Sequence, residues 1–187
     1  MAYESNSNDN ENQSLRNINS LLFSAVNDTS TGFSLSNFRS KVVRFTPTLD
    51  TSAYAGGDVL FDRTAVAVSN SNVNARGTIL SASIVDRDDQ STQTVTLYFL
   101  NANVSLGTAN SAPSITDDNA SNSIIGTCTV TTGTDLGGCK FGETQGLVIP
   151  FELTGPTLYV AAVTGGTPTH TASGVRVRLS LQLETNP

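Results

Sequence analysis

The segment GVRVRLSLQLE (174–184) alternates without a break. Val175, Val177, Leu179, Leu181 and Leu183 fall on one side, and Arg176, Arg178, Ser180, Gln182 and Glu184 on the other. Successive side chains point to opposite faces only in a strand. The segment therefore reads as a β-strand with one face in a core and the other toward water or a partner. A strand this regular at a sheet edge would template aggregation, so it is expected between two neighbours.

The rest of the chain from Lys41 onward repeats the theme. KVVRFTP, DVLFDRTAVAVS, RGTILSASIVDRD, TQTVTLYFLNA, SIIGTCTV, GLVIPFEL and TLYVAAV are each short, β-branched or aromatic, and bounded by turn residues. In TVTLYFL, Val95, Leu97 and Phe99 should face one way and Thr94, Thr96 and Tyr98 the other. No helical period follows residue 38, and no repeat of about 20 to 50 residues is visible. The expectation is an all-β fold, a sandwich or barrel, over residues 41–187.

Composition agrees. Of 187 residues, 37% are apolar, 6% aromatic and only 14% charged. Thr, Ser, Asn and Gly make up the balance, as many short strands and turns require. Ten Lys and Arg stand against sixteen acids, a net charge of −6. This argues against a nucleic-acid partner, which calls for a basic face. No apolar run approaches the ~20 residues of a membrane span, and MAYESNSNDNENQ lacks the basic and apolar regions of a signal peptide. Synthesis in a cytoplasm and no membrane partner are expected.

Residues 1–40 read as a separate, extended polar arm. Ten of the first twenty residues are Asn or Ser, which bury too little to offset ordering entropy. SLRNINSLLFSAV follows, with Leu15, Ile18, Leu22 and Val26 near a helical stripe that Leu21 and Phe23 break. A short helix fits there, as does a frayed terminus. As a partner-binding element the candidates are Leu15, Ile18, Leu21, Leu22 and Phe23, ordering when they dock.

Signals for chemistry are weak. His170, the one histidine, lies in GTPTHTASG and reads as an exposed loop imidazole, with no nucleophile elbow to serve. Asp86, Asp88 and Asp89 crowd one turn, and Asp117 and Asp118 another. Clustered carboxylates can hold Ca²⁺, but neither cluster fits an EF-hand loop, and turn acids bonding to their own backbone is the plainer reading. Gly56-Gly57 reads as a tight turn, with Asp58 bonding back to it and Tyr54 covering the edge of the fold. Cys128 and Cys139 flank a turn-rich stretch; a bridge across a hairpin and two reduced thiols both remain open. No catalytic residue, no metal ligand and no cofactor is assigned, and an enzyme is not expected.

The segment FTPTLDTSAYAGGDVL resembles one common in structural proteins of tailed-bacteriophage virions. GTILSASIVDRDDQSTQTVTLYFLNANVSLGTANSAPSITDDNASNSIIGTCTV resembles the middle of such proteins. TDLGGCKFG, TLYVAAV and GTPTHTASGVRVRLSLQL resemble their later parts. The resemblance spans roughly residues 45–183, and its turns match better than its strands. It implies a head decoration (cement) protein outside the capsid: a β-sandwich, jelly-roll-like, assembled as a homotrimer and bound to the major capsid protein, with no catalytic residues to carry over. The alternative is a head-fibre, neck or tail-fibre module that binds host-surface glycans. Glycan sites stack sugars on exposed aromatics, and the folded part offers only Tyr54, Tyr98 and Tyr159 for that purpose.

Overall fold

The computed structural model describes residues 38–69 and 74–184. The candidate arm residues Leu15, Ile18, Leu21, Leu22 and Phe23 lie outside the described residues. The elements are β1 (Phe38–Phe45), β2 (Val59–Ala67), β3 (Arg76–Asp86), β4 (Thr94–Leu100), α1 (Asp117–Ser123), β5 (Ile124–Thr131), β6 (Thr134–Asp135), β7 (Lys140–Glu152), β8 (Thr157–Thr164) and β9 (Val175–Glu184). Arg39–Glu184 forms one compact unit.

Two sheets make the body, five strands in the order β1-β9-β3-β7-β6 and four in the order β2-β8-β4-β5. Set side by side, the two orders match β1 with β2, β9 with β8, β3 with β4 and β7 with β5. That is the winding of a jelly roll, with β6 a two-residue extension on β7. The all-β sandwich expected from alternation is what forms. β9 lies between β1 and β3, as its regularity requires, and buries Val175, Val177, Leu179 and Leu181 while Arg176 and Arg178 face out. β4 sends Val95, Leu97 and Phe99 into the same core.

The outer face of the four-stranded sheet is not simply wet. Val59, Leu100, Leu106 and Ala161 form a second apolar cluster with Tyr98, Tyr159 and Ile115 against it. Asp62 ties down the covering loop, accepting from Leu106 N at 2.8 Å and from Ser105 Oγ at 2.8 Å. Burial works against its charge. The Arg63 and Leu106 amides, the Ser105 hydroxyl and the Arg63 guanidinium outweigh that, and hold the carboxyl below its ordinary range.

One expectation needs correction here. Asp117 and Asp118 sit not in a plain turn but in the first turn of α1, capped by the Thr116 hydroxyl, which accepts from Asn119 N at 3.3 Å. The acids suit the positive end of the helix. Periodicity missed it because α1 has seven residues and buries only Ser123. The cysteines, left open, are both free. Cys128 is on β5 in the four-stranded sheet, and Cys139 precedes β7 in the other. The chain between them changes sheets instead of closing a hairpin. Burial raises the Cys128 thiol to about 11, which leaves it unreactive.

Candidate functional site

The most unusual grouping of side chains forms at one end of the sandwich, where β3 ends, β4 and β9 begin and β8 finishes. Its placement starts with a bulge. The pairing of β3 with both β7 and β9 slips between Ile79 and Ser81. Gly77 and Ile79 face inward before the slip, and Ala82, Ile84 and Asp86 after it. One extra residue, Leu80, changes which alternate positions reach the core. Without it Asp86 would face out; with it, Asp86 is 0% exposed.

The turn after β3 then wraps around that carboxylate. Asp86 Oδ1 accepts from Asp88 N and Oδ2 from Gln90 N, both at 3.0 Å. Asp89 adopts φ +52 to complete the turn and points away, exposed. A short polar side chain tolerates that left-handed conformation. Asp88 reaches across to the loop between β8 and β9. Its Oδ2 accepts from Thr171 N at 2.7 Å, and Thr171 Oγ1 donates to Oδ1 at 2.9 Å. Burial again opposes the charge, but the Thr171 donors and the His170 ring outweigh it and set this carboxyl below its ordinary range. Gly174 makes the crossing possible: a Cβ there would stand 1.7 Å from Asp88 Oδ2.

His170 closes the group. The expectation of an exposed imidazole is overturned, since the residue is 2% exposed. Three segments bury it. Pro168 O accepts from Tyr54 N and Ala172 O from Leu49 N, so residues 49–54 lie along the loop. The Tyr54 ring meets the imidazole edge-on at 6.5 Å. On the third side, Gln93 Nε2 lies 3.3 Å from His170 Nε2, while Thr164 Oγ1 donates to Gln93 Oε1. His170 Nδ1 lies 3.4 Å from Asp88 Oδ2 and 3.6 Å from Asp86 Oδ1. It makes no hydrogen bond to either, or to any other atom of the described residues. One donor atom from each of Asp86, Asp88 and His170 lies within 4.8 Å of the others.

The sequence grouped Asp86, Asp88 and Asp89 as turn acids and assigned no ligand among them. Asp86 and Asp88 come together, Asp89 leaves, and His170 arrives from more than 80 positions away. No local signal announces it.

The segment 50–62 belongs to the same corner. Tyr54 is buried and its hydroxyl donates to Leu60 O at 3.0 Å. Asp58 Oδ2 accepts from Ala55 N at 2.8 Å and Gly57 takes φ +98, the tight turn that was expected. Gly57 N and Asp58 O bond to Thr164, fastening the corner to the end of β8. Its aromatic, glycines and acids are structural parts.

No helix among the described residues is long and apolar enough to cross a membrane. No protein-family model matches the chain, and no curated protein matches its sequence.

Proposed function

We propose that this protein is a non-enzymatic structural component of a tailed-bacteriophage virion. It binds the outside of the head as a homotrimer and stabilises the shell formed by the major capsid protein. The observation that supports this most is where the resembling segments fall. FTPTLDTSAYAGGDVL, VDRDDQSTQT and GTPTHTASG are far apart in sequence, yet they meet at one end of the jelly roll, around His170. Segments that interlock this way belong to one corner of the fold, which supports reading the resemblance as one of architecture. Jelly rolls are a recurrent design of viral capsid proteins, a fold-level analogy that adds weight without assigning function.

A cement protein calls for a rigid body and a grip. The sandwich is the body. β1 is an edge strand, and the chain that precedes it carries Leu15, Ile18, Leu21, Leu22 and Phe23, the proposed grip. Each copy binds at modest strength, and many copies on one shell add through multivalency. Whatever binds only the assembled shell stabilises it. The glycan-binding alternative has less support: Tyr54 is buried and Tyr98 and Tyr159 pack on the second cluster, so all three are committed to packing.

The test is a truncation lacking residues 1–37, which leaves β1 whole. It is expected to remain a folded trimer by light scattering and circular dichroism, yet fail to coat heads stripped of the protein. Full coating by the truncated form would remove the arm from the account; failure of the full-length protein to coat heads would remove the function.

A further inference from the structure

We propose that Asp86, Asp88 and His170 form a closed structural site for a divalent transition-metal cation of the zinc type. The inference is independent of the virion reading and survives its failure. Clustered acids alone would not carry it. What does is His170 Nδ1, a polar atom fully removed from water, aimed between two carboxylates and bonded to neither. A ring N–H held there for a hydrogen bond would sit near 2.9 Å from one oxygen. The observed separations are 3.4 and 3.6 Å. Donor atoms around a tetrahedral ion with bonds of ~2.0–2.2 Å stand about 3.4 Å apart. The imidazole therefore keeps the distance of a fellow ligand.

Charge points the same way. Two carboxylates, one of them 0% exposed, share this corner, and the ion pairs described for both are to His170 alone. An imidazole that ligates a metal is neutral, and a divalent cation would then balance the two carboxylates beside it. Asp86 Oδ1 accepts one backbone N–H and retains a lone pair, while Asp88 Oδ2 accepts Thr171 N and shares the Thr171 hydroxyl with Oδ1, the bond to Oδ1 being the shorter at 2.9 Å against 3.1 Å. One nitrogen and two oxygens favour zinc-type ions over Ca²⁺, which takes six to eight oxygens. Asp88 retains partial exposure, 16% of its side chain, through which a water can complete four-coordination.

The surroundings must also allow the right tautomer. An Nδ1 ligand leaves its proton on Nε2, which then needs an acceptor. Gln93 now presents its amide nitrogen there, and a half-turn of the amide presents Oε1 instead. The displaced NH₂ then donates to Thr164 Oγ1, whose own proton has a second acceptor in Gly166 O at 3.4 Å. Every group keeps a partner, so Gln93 can serve either tautomer. A bound ion would fasten the turn after β3 to the loop before β9 and hold the corner closed.

The experiment uses the full chain, stripped with EDTA and titrated with Zn²⁺ alone, then with Co²⁺ as a spectroscopic substitute. One Zn²⁺ per chain is expected, with melting raised by roughly 5–10 °C at a hundredfold excess over Kd. Bound Co²⁺ should show tetrahedral visible bands without thiolate charge-transfer absorption, which separates this site from Cys139. Asp88→Asn keeps the shape of the side chain and should weaken Zn²⁺ by about 100-fold or more. Gln93→Leu touches no metal and should weaken it about 10- to 100-fold. His170→Gln should abolish binding, and if it fails to fold the other two variants still decide. No melting shift with either ion would overturn the proposal and leave a buried histidine–carboxylate cluster. So would a shift that persists unchanged in Asp88→Asn.

Discussion

Two turns of this protein look alike as sequence, VDRDDQ at 85–90 and ITDDNA at 115–120, each a crowd of acids among polar residues. They end in opposite circumstances. The first buries Asp86 against His170 and builds the corner of the jelly roll. The second caps a seven-residue helix with its acids in water. Local composition does not separate them. What does is the bulge at Leu80, which turns Asp86 inward, and a loop some 80 residues later that arrives to meet it. An acid's role here is set by strand parity and by a distant partner.

That contrast can be attacked directly. The largest effect is expected from His170→Ala in metal-free protein. Removing a buried ring leaves a cavity and strips the Gln93 amide of its partner, which should cost about 2–5 kcal/mol by denaturant titration. Asp117→Ala combined with Asp118→Ala should cost only a few tenths to 1 kcal/mol, the worth of acids at an exposed helix start. Equal costs for the two turns would erase the distinction.

Gly174→Ala should come next, at roughly 1–3 kcal/mol, because the new methyl displaces Asp88 and the corner must open. A neutral outcome would mean that the Asp88–Thr171 bonds contribute nothing.

Asp62→Asn probes a third acid, neither buried in the corner nor free. Loss of a charged acceptor for Leu106 N and Ser105 Oγ should cost about 1.5 kcal/mol at neutral pH. The sign with pH follows from its lowered folded value. The unfolded chain takes up this proton first as acid is added. The stabilisation is therefore whole above the unfolded carboxyl range near pH 4 and is lost as pH falls through the lower folded value. The variant's stability should fall less steeply below about pH 4 than the parent's. The smallest single effect is expected of Thr116→Ala, about 1 kcal/mol or less, from the lost cap of α1. It should leave the His170 corner untouched, measured as unchanged exchange of the Thr171 amide.

How much of this was legible beforehand depends on range. Alternation in β4 and β9 is written in adjacent residues, and it gave both the strands and the faces they bury. The turn at Gly57 and the bond back from Asp58 are equally local. α1 was hidden because a short exposed helix needs no apolar stripe. The corner was hidden for a different reason: a one-residue bulge reverses parity without a mark in composition, and His170 reads as any polar loop residue until its neighbours are known. In a fold wound this way nearly every decisive contact is distant in sequence.

Cryo-electron microscopy of tailed-bacteriophage particles tests the proposed place of this chain in a virion most directly. Ordered trimers of this jelly roll over the outer head lattice, joined to the major capsid protein through residues before β1, are the predicted result. Density confined to the tail, the neck or a single vertex, or none on the particle at all, would contradict it.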